Sequence, residues 1–378
     1  MVKSPKNKIN HFKRSDIFTL LVMLGFSSIF ESSFAADVIG NIVNPPSGSG
    51  SFSTNHYGGQ VLTPLGNARE NQLIYDDYHF FTGGPQYLYG GYTDNGDATE
   101  NVVRFTHSDT GGNHKFNVIG GKTQLGKVEE NSVTVKLNGA PNGSSTVYGG
   151  WSSKGNVNRN KVDVSDSKGL EKVVGAQITD RGNAEENEVR ISNTTVNKSV
   201  YGALVDNSDK AHTVRGNKVQ LLDSTINRLG KVTGGESNGL NSSVAANEVF
   251  IRDSTIYSVT GGRARTGTAV DNKVILENVM ASSGSRYNPT IIAGGELYQN
   301  GAAHGNSVEI RGNSEINGYV AGAYSLGGAP DIRNNTVILN GRITVTGSVY
   351  GGVISGSVVT PVNDRPNKLS LTGLIKAG

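Results

Sequence analysis

Two short marks recur down almost the whole chain. One is an apolar stretch that runs into a glycine doublet, as in Val147-Tyr148-Gly149-Gly150. The other is an asparagine followed by alternating apolar positions, as in Asn160-Lys161-Val162-Asp163-Val164. The first mark begins at Gly58 and returns eleven times in all, the last at Gly351, with 26 to 33 residues between successive copies. The asparagine follows each doublet at an offset of 11 to 16 residues, from Asn71 to Asn367. Self-similarity at a period of this size dictates a stacked-repeat architecture before any other reading applies.

The residues two and four places beyond each asparagine are apolar in every copy: Leu73 and Tyr75, Val133 and Val135, Val189 and Ile191, Leu369 and Leu371. Polar residues mostly separate them. Alternation with period two in β-branched residues marks a strand with one buried face. No stretch after the leader carries a 3.6-residue apolar stripe, so helical repeats are excluded. Each repeat is expected to form one coil of a parallel β-helix, two or three short strands joined by tight corners. Eleven coils at ~4.8 Å each give a rod. The recurring asparagine has two readings: a ladder of side-chain amides bonding coil to coil, or a residue that tolerates a left-handed corner. The polar stretch between doublet and asparagine varies most in length and reads as loops on one face. Aromatics cluster early, from Tyr75 to Tyr92. They are expected either to plug the open solenoid end or to pack in the core.

Composition agrees with a thin repetitive core. Of 378 residues, 51 are glycine and none is cysteine. The absence of cysteine rules out a disulfide scaffold. Residues 1–35 read as a signal peptide, with Lys3, Lys6, Lys8, Lys13 and Arg14, an apolar run from Ile17 to Phe26, and a small-residue cleavage site at Ser33-Phe34-Ala35. The apolar run is too short to span a bilayer. The leader holds five of the 35 Lys/Arg and two of the 32 Asp/Glu, which leaves 30 of each. The remaining chain is formally neutral, which offers no electrostatic case for nucleic acid or a membrane surface. Residues 36–56, with Pro45 and Pro46, read as a lead-in or cap without a strand pattern, and 57–378 as the repeats.

With an extended basic leader and tandem Tyr-Gly-Gly and Asn-x-Val-x repeats, the chain resembles the passenger region of an autotransporter adhesin. Val147-Tyr148-Gly149-Gly150 with Asn160-Lys161-Val162, and Val349-Tyr350-Gly351-Gly352 with Asn335-Thr336-Val337, carry the match. The resemblance implies a right-handed parallel β-helix of about eleven coils. It also implies export through the inner membrane to the periplasm or cell surface, and adhesion, self-association or biofilm formation. The family's translocating β-barrel has no counterpart here. The sequence stops within a repeat and lacks the alternating strands and aromatic girdles of such a barrel. The expected partners are another copy of the rod, or a host or abiotic surface.

Catalysis finds little support in the sequence. The six histidines after the leader lie in different repeats without zinc-type spacing. Asp94 and Asp97 around Gly96 outline a calcium loop without its twelve-residue ligand pattern. No cofactor, metal or catalytic residue is assigned. Two alternatives to adhesion stand: an inert stalk or decayed remnant, and a β-helix polysaccharide lyase or hydrolase. Asp163, Asp166, Lys172 and Arg190 are the nearest candidates for its converging charges. Trimeric adhesin heads, with coils of about half this period, are the alternative fold.

Overall fold

Residues 128–160 show how one coil is built. Val128–Glu129 is a short strand, Glu130 turns with φ 58°, and Asn131 leads into the strand Ser132–Leu137. Ser145–Ser152 follows, bent at Gly149-Gly150, and Val157–Asn158 opens the next coil. Val133, Val135 and Leu137 point inward and are fully buried, while Ser132, Thr134 and Lys136 face out. Burial of each such aliphatic side chain contributes about 1.5–3 kcal/mol. The same positions stack in parallel register from coil to coil, Val133 on Val162, then Val189, then Val219.

The computed structural model describes residues 36–44, 49–50, 55–62, 65–77, 79–80, 85–107, 115–138, 144–227, 229–282, 290–355, 357–358 and 367–377. Residues 1–35, expected to be a signal peptide, and Pro45-Pro46 lie outside the described residues. Ala35–Gly378 forms one unit. It is all-β, without a helix among the described residues. The coils build three faces. Face 1 holds the strand after the asparagine, face 2 the strand with the glycine doublet, and face 3 the short strand before the asparagine. Among the described residues face 3 is a sheet of eleven strands, one before each asparagine from Asn41 to Asn335. The expected parallel β-helix of about eleven coils is what forms.

The corners explain both sequence marks. At the first corner the left-handed residue is the one before the asparagine: Glu70, Glu100, Glu130, Arg159, Glu186 and Ala246 have φ between 53° and 58°. The asparagine itself is buried and bonds along the rod. Asn131 Nδ2 donates to Asn160 Oδ1 at 2.8 Å, Asn160 to Asn187 at 2.9 Å, and Asn187 to Asn217 at 2.8 Å. The series runs unbroken from Asn71 to Asn367. Each amide also donates to a face 3 carbonyl, as Asn160 does to Val128 O. Of the two readings of this residue, the ladder is correct. A side chain with a donor at one end and an acceptor at the other is what a one-coil translation requires. A second corner repeats this grammar with hydroxyls. Asp166, Asn193, Asp223 and Asp253 are left-handed, and the next residue takes a backbone N–H of the coil before it, as when Ser224 Oγ accepts from Thr194 N.

The amide ladder divides the interior. A large core of Val, Leu, Ile and Phe lies between faces 1 and 2. A smaller one of alanine, valine and a few larger aliphatic side chains, including Ala98, Val128, Val157 and Ala184, lies under face 3. The glycine doublet is where face 2 passes the ladder. A Cβ on Gly149 would come within 2.5 Å of the Gly175 carbonyl oxygen, and one on Gly150 within 2.6–2.9 Å of Val128, Val157 and the Asn160 amide. The two positions differ in what blocks them. Side chains crowd the second, and Ala176, Ala203 and Ala323 already occupy it in other coils. Backbone blocks the first, and no coil replaces that glycine. Gly149→Ala is therefore expected to lower stability by about 2–3 kcal/mol, and Gly150→Ala by well under half of that, in urea melts of the two variants.

The start of the solenoid differs from expectation. Residues 36–56 are not patternless: Val38–Ile39 pairs with Ala68–Arg69, Ile42–Val43 pairs with Gln72-Leu73, and the Asn41 backbone N–H donates to Asn71 Oδ1 at 3.1 Å. Asn41 is an additional rung. It was missed because the single alternation after it, Val43, is cut short by Asn44 and the prolines. The early aromatics also divide. Tyr75, Phe105 and Phe116 are buried in the large core, whereas Tyr57, Tyr87, Tyr89 and Tyr92 sit on the outer side of face 2. Tyr78 and Phe81 lie outside the described residues.

Candidate functional site

Face 1 presents its charged side chains outward in columns, because its strands stack in register. One column reads Lys161, Glu188, Lys218, Glu248 and Lys273 in five consecutive coils, strictly alternating in sign. Neighbours at ~4.8 Å carry opposite charge, so the column avoids the like-charge stacking that destabilises cross-strand pairs. A second column alternates Arg252, Glu277 and Arg311, and Arg311 Nη2 lies 3.1 Å from Glu277 Oε2.

Face 2 is different in shape and content. At the first glycine of each doublet the strand register skips: Ile119 pairs with Tyr148 and Gly121 with Gly150, while the glycines between them are passed over. The strand bends there, and residues three apart, which would oppose each other on a flat strand, turn to the same outer side. Tyr89 and Tyr92 accordingly meet with ring centroids 5.5 Å apart. The result is a trough along the rod with the doublets as its floor.

Its walls carry aromatics and ionisable groups. Tyr57 stacks on Tyr89 at 5.0 Å, and Lys122 Nζ lies 4.3 Å over the Trp151 ring. Lys172 Nζ lies 5.3 Å over Tyr201 and donates to Gln177 Oε1 at 3.3 Å. Burial pushes the Tyr201 hydroxyl up to about 12. For Tyr92, burial and the hydrogen bond to Asp94 push it up to about 12. Burial lowers the ammonium pKa of Lys122, Lys172 and Lys231. Further along, Arg263 lies between two carboxylates, with Nη1 3.4 Å from Glu236 Oε2 and Nε 3.4 Å from Glu296 Oε1, and its guanidinium covers the Tyr298 ring at 4.0 Å. All three charged side chains are less than a tenth exposed. Glu296 also accepts from Thr260 Oγ1 at 3.0 Å. Burial raises the Glu236 pKa, against the opposing pull of Arg263.

The four charges considered for polysaccharide chemistry do not converge. Asp163 and Arg190 are register neighbours on face 1, with Arg190 held by Glu188 at 2.7 Å. Asp166 is at the second corner, 2.9 Å from Lys136. Lys172 is on a different face, in the trough. Asp94 is the acceptor of the Tyr92 hydroxyl at 2.8 Å, and Asp97 receives the Lys127 backbone N–H. His56 bonds Tyr75, His212 lies 3.1 Å from Gly182 O, and His304 lies 3.0 Å from Asp331, in separate coils. Among the described residues no group of three or more His, Cys, Asp or Glu comes together as a metal cage, and no helix is long and apolar enough to cross a membrane.

The trough was not read from the sequence, although its signal was there. Glu236, Arg263 and Glu296 each directly follow a doublet, and that position belongs to a single outer column. Compared with known protein families, curated proteins and solved structures, the chain matches none.

Proposed function

We propose that this chain is the passenger-type solenoid of an exported adhesin of the autotransporter class, non-catalytic, acting by self-association and surface attachment. The observation that carries this reading is the face 1 column of alternating charge. Its spacing is the coil rise. A second rod laid alongside and shifted by one coil presents a lysine to every glutamate over the whole column, and a flush parallel rod presents like to like. Such a pattern fixes register as well as attraction. Each exposed pair contributes only about 0.2–1 kcal/mol, so adhesion comes from the sum over many coils and weakens as salt screens it.

Sedimentation of the purified chain at low and high salt tests this. Dimers or larger species are expected at low salt and monomers at high salt. Converting Lys161, Lys218 and Lys273 to glutamate is expected to abolish association, as is converting Glu188 and Glu248 to lysine, and mixing the two variants restores it. A chain that stays monomeric at all salt concentrations, on cells that do not clump when they display it, contradicts the proposal.

A further inference from the structure

The trough carries its own column of polar and charged residues, distinct from those of face 1. In one wall column Thr146, Lys172 and Ser199 are register partners, and Lys231, whose backbone N–H donates to Ser199 Oγ, continues it in the next coil. Lys172 and Lys231 stand two coils apart, about 10 Å, with Ser199 between them. On the floor side Tyr201 lies between the two lysines, and Tyr148 one coil before Lys172's. The facing wall begins with Lys122 over Trp151. Level with Lys231, in the same strand, Glu236 opens the Glu236–Arg263–Glu296 cluster that closes the series on the facing wall.

Both lysines are half-buried: Lys172 lies against the Tyr201 ring and the Gln177 amide, and Lys231 stands among the charges of Arg263, Glu296 and Glu236. A cation stripped of water in this way gains from an anion that fits the trough. Two coil rises are close to the length of a disaccharide. Tyrosine, tryptophan, amide and hydroxyl groups supply the mixed apolar and hydrogen-bonding surface that sugars need. We propose that the face 2 trough binds a linear acidic polysaccharide along the rod axis, with its anionic groups on alternate sugars. Lys172 and Lys231 take successive anions on one wall, and Lys122 with Trp151 holds the chain from the other. This site goes beyond self-association, uses a different face, and stands whether or not the rods pair.

Trp151 is the sole tryptophan of the chain, so its emission reports occupancy of the trough. Purified full-length protein is titrated with hyaluronan oligosaccharides, in which a uronate alternates with a neutral amino sugar. Dextran serves as the neutral control, and polygalacturonate carries an anion on every sugar. Equilibrium dialysis runs in parallel. Saturable change of Trp151 emission is expected with hyaluronan, weaker change with polygalacturonate and none with dextran. Lys172→Gln with Lys231→Gln is expected to weaken hyaluronan binding about tenfold or more, and Lys218→Glu on face 1 to leave it unchanged. Unfolding midpoints establish that the variants fold. The proposal is overturned by the absence of hyaluronan binding, by binding that leaves Trp151 emission unchanged, by equal binding of dextran, or by a folded double variant that binds as the parent does. Failure of self-association alone leaves these readouts in place, so the two proposals fall separately.

Discussion

Asn187→Ala is expected to cost about 3–5 kcal/mol of stability, among the largest effects available to a single side chain in this fold. Asn187 Oδ1 accepts from both the backbone N–H and the side-chain amide of Asn160, and its own amide donates to Asn217 Oδ1, Val157 O and Glu185 O. Truncation removes these bonds in a site with no exposure. The Asn160 N–H and the Val157 carbonyl then lose these partners, and each unsatisfied buried group costs about 1–3 kcal/mol. Alanine is too short to fill the space between the two cores, which adds a cavity term. Because coils touch only their neighbours, the loss is placed at the centre of the rod, where it weakens the coupling of the two halves. Urea denaturation followed by circular dichroism checks this; a midpoint within error of the parent would show that the ladder is dispensable.

Arg263→Met comes second. It keeps the length of the side chain and removes the charge between Glu236 and Glu296. Removing one partner of a buried ion pair costs about 3–5 kcal/mol, because the remaining charge is left uncompensated. The pH dependence has a definite sign. Burial already raises the folded-state pKa of Glu236 above its unfolded value, and loss of the neighbouring cation raises it further. A raised carboxyl favours folding below the unfolded pKa and loses that contribution as pH rises through the folded pKa. The deficit of the variant is therefore expected to be greatest at neutral pH and to shrink as pH falls toward the ordinary glutamate range. Thermal melts of parent and variant across that range measure it. A deficit independent of pH would mean that packing over Tyr298, rather than charge, explains the loss.

Much of the architecture was legible because the solenoid writes each coil's needs into the same positions. The buried rows at two and four residues past the asparagine are set by strand alternation, and Val162, Val189 and Val219 fall where the pattern puts them. The asparagine could be located but its role could not be fixed from sequence alone, since a left-handed corner and an amide ladder both favour it. Only the backbone shows that Glu130 and Arg159 take the left-handed turn beside it. The trough was harder to read for a physical reason. A strand with simple alternation sends the residue before a doublet and the residue after it to opposite faces, so Tyr89 and Tyr92 read as one inside and one outside. The register skip at the glycine turns both outward. Lys122 meets Trp151 more simply, as its register partner in the next coil. Asn41 was lost at the other extreme, where too little of the repeat surrounds it.

Coil-on-coil register is the claim on which the ladders, the charge column and the trough all depend, and engineered disulfides test it most directly. The chain has no cysteine of its own. Thr134 and Asp163 are register partners on the outer side of face 1, and Arg190 is the next in that column. Adjacent strands lie ~4.8 Å apart, within the Cα separation a disulfide accepts, and two coils span about 10 Å, beyond it. Cysteines at 134 and 163, or at 163 and 190, are expected to cross-link on mild oxidation, and cysteines at 134 and 190 to remain free. Cross-linking of 134 to 190, or failure of 134 to join 163, would contradict the stacked solenoid.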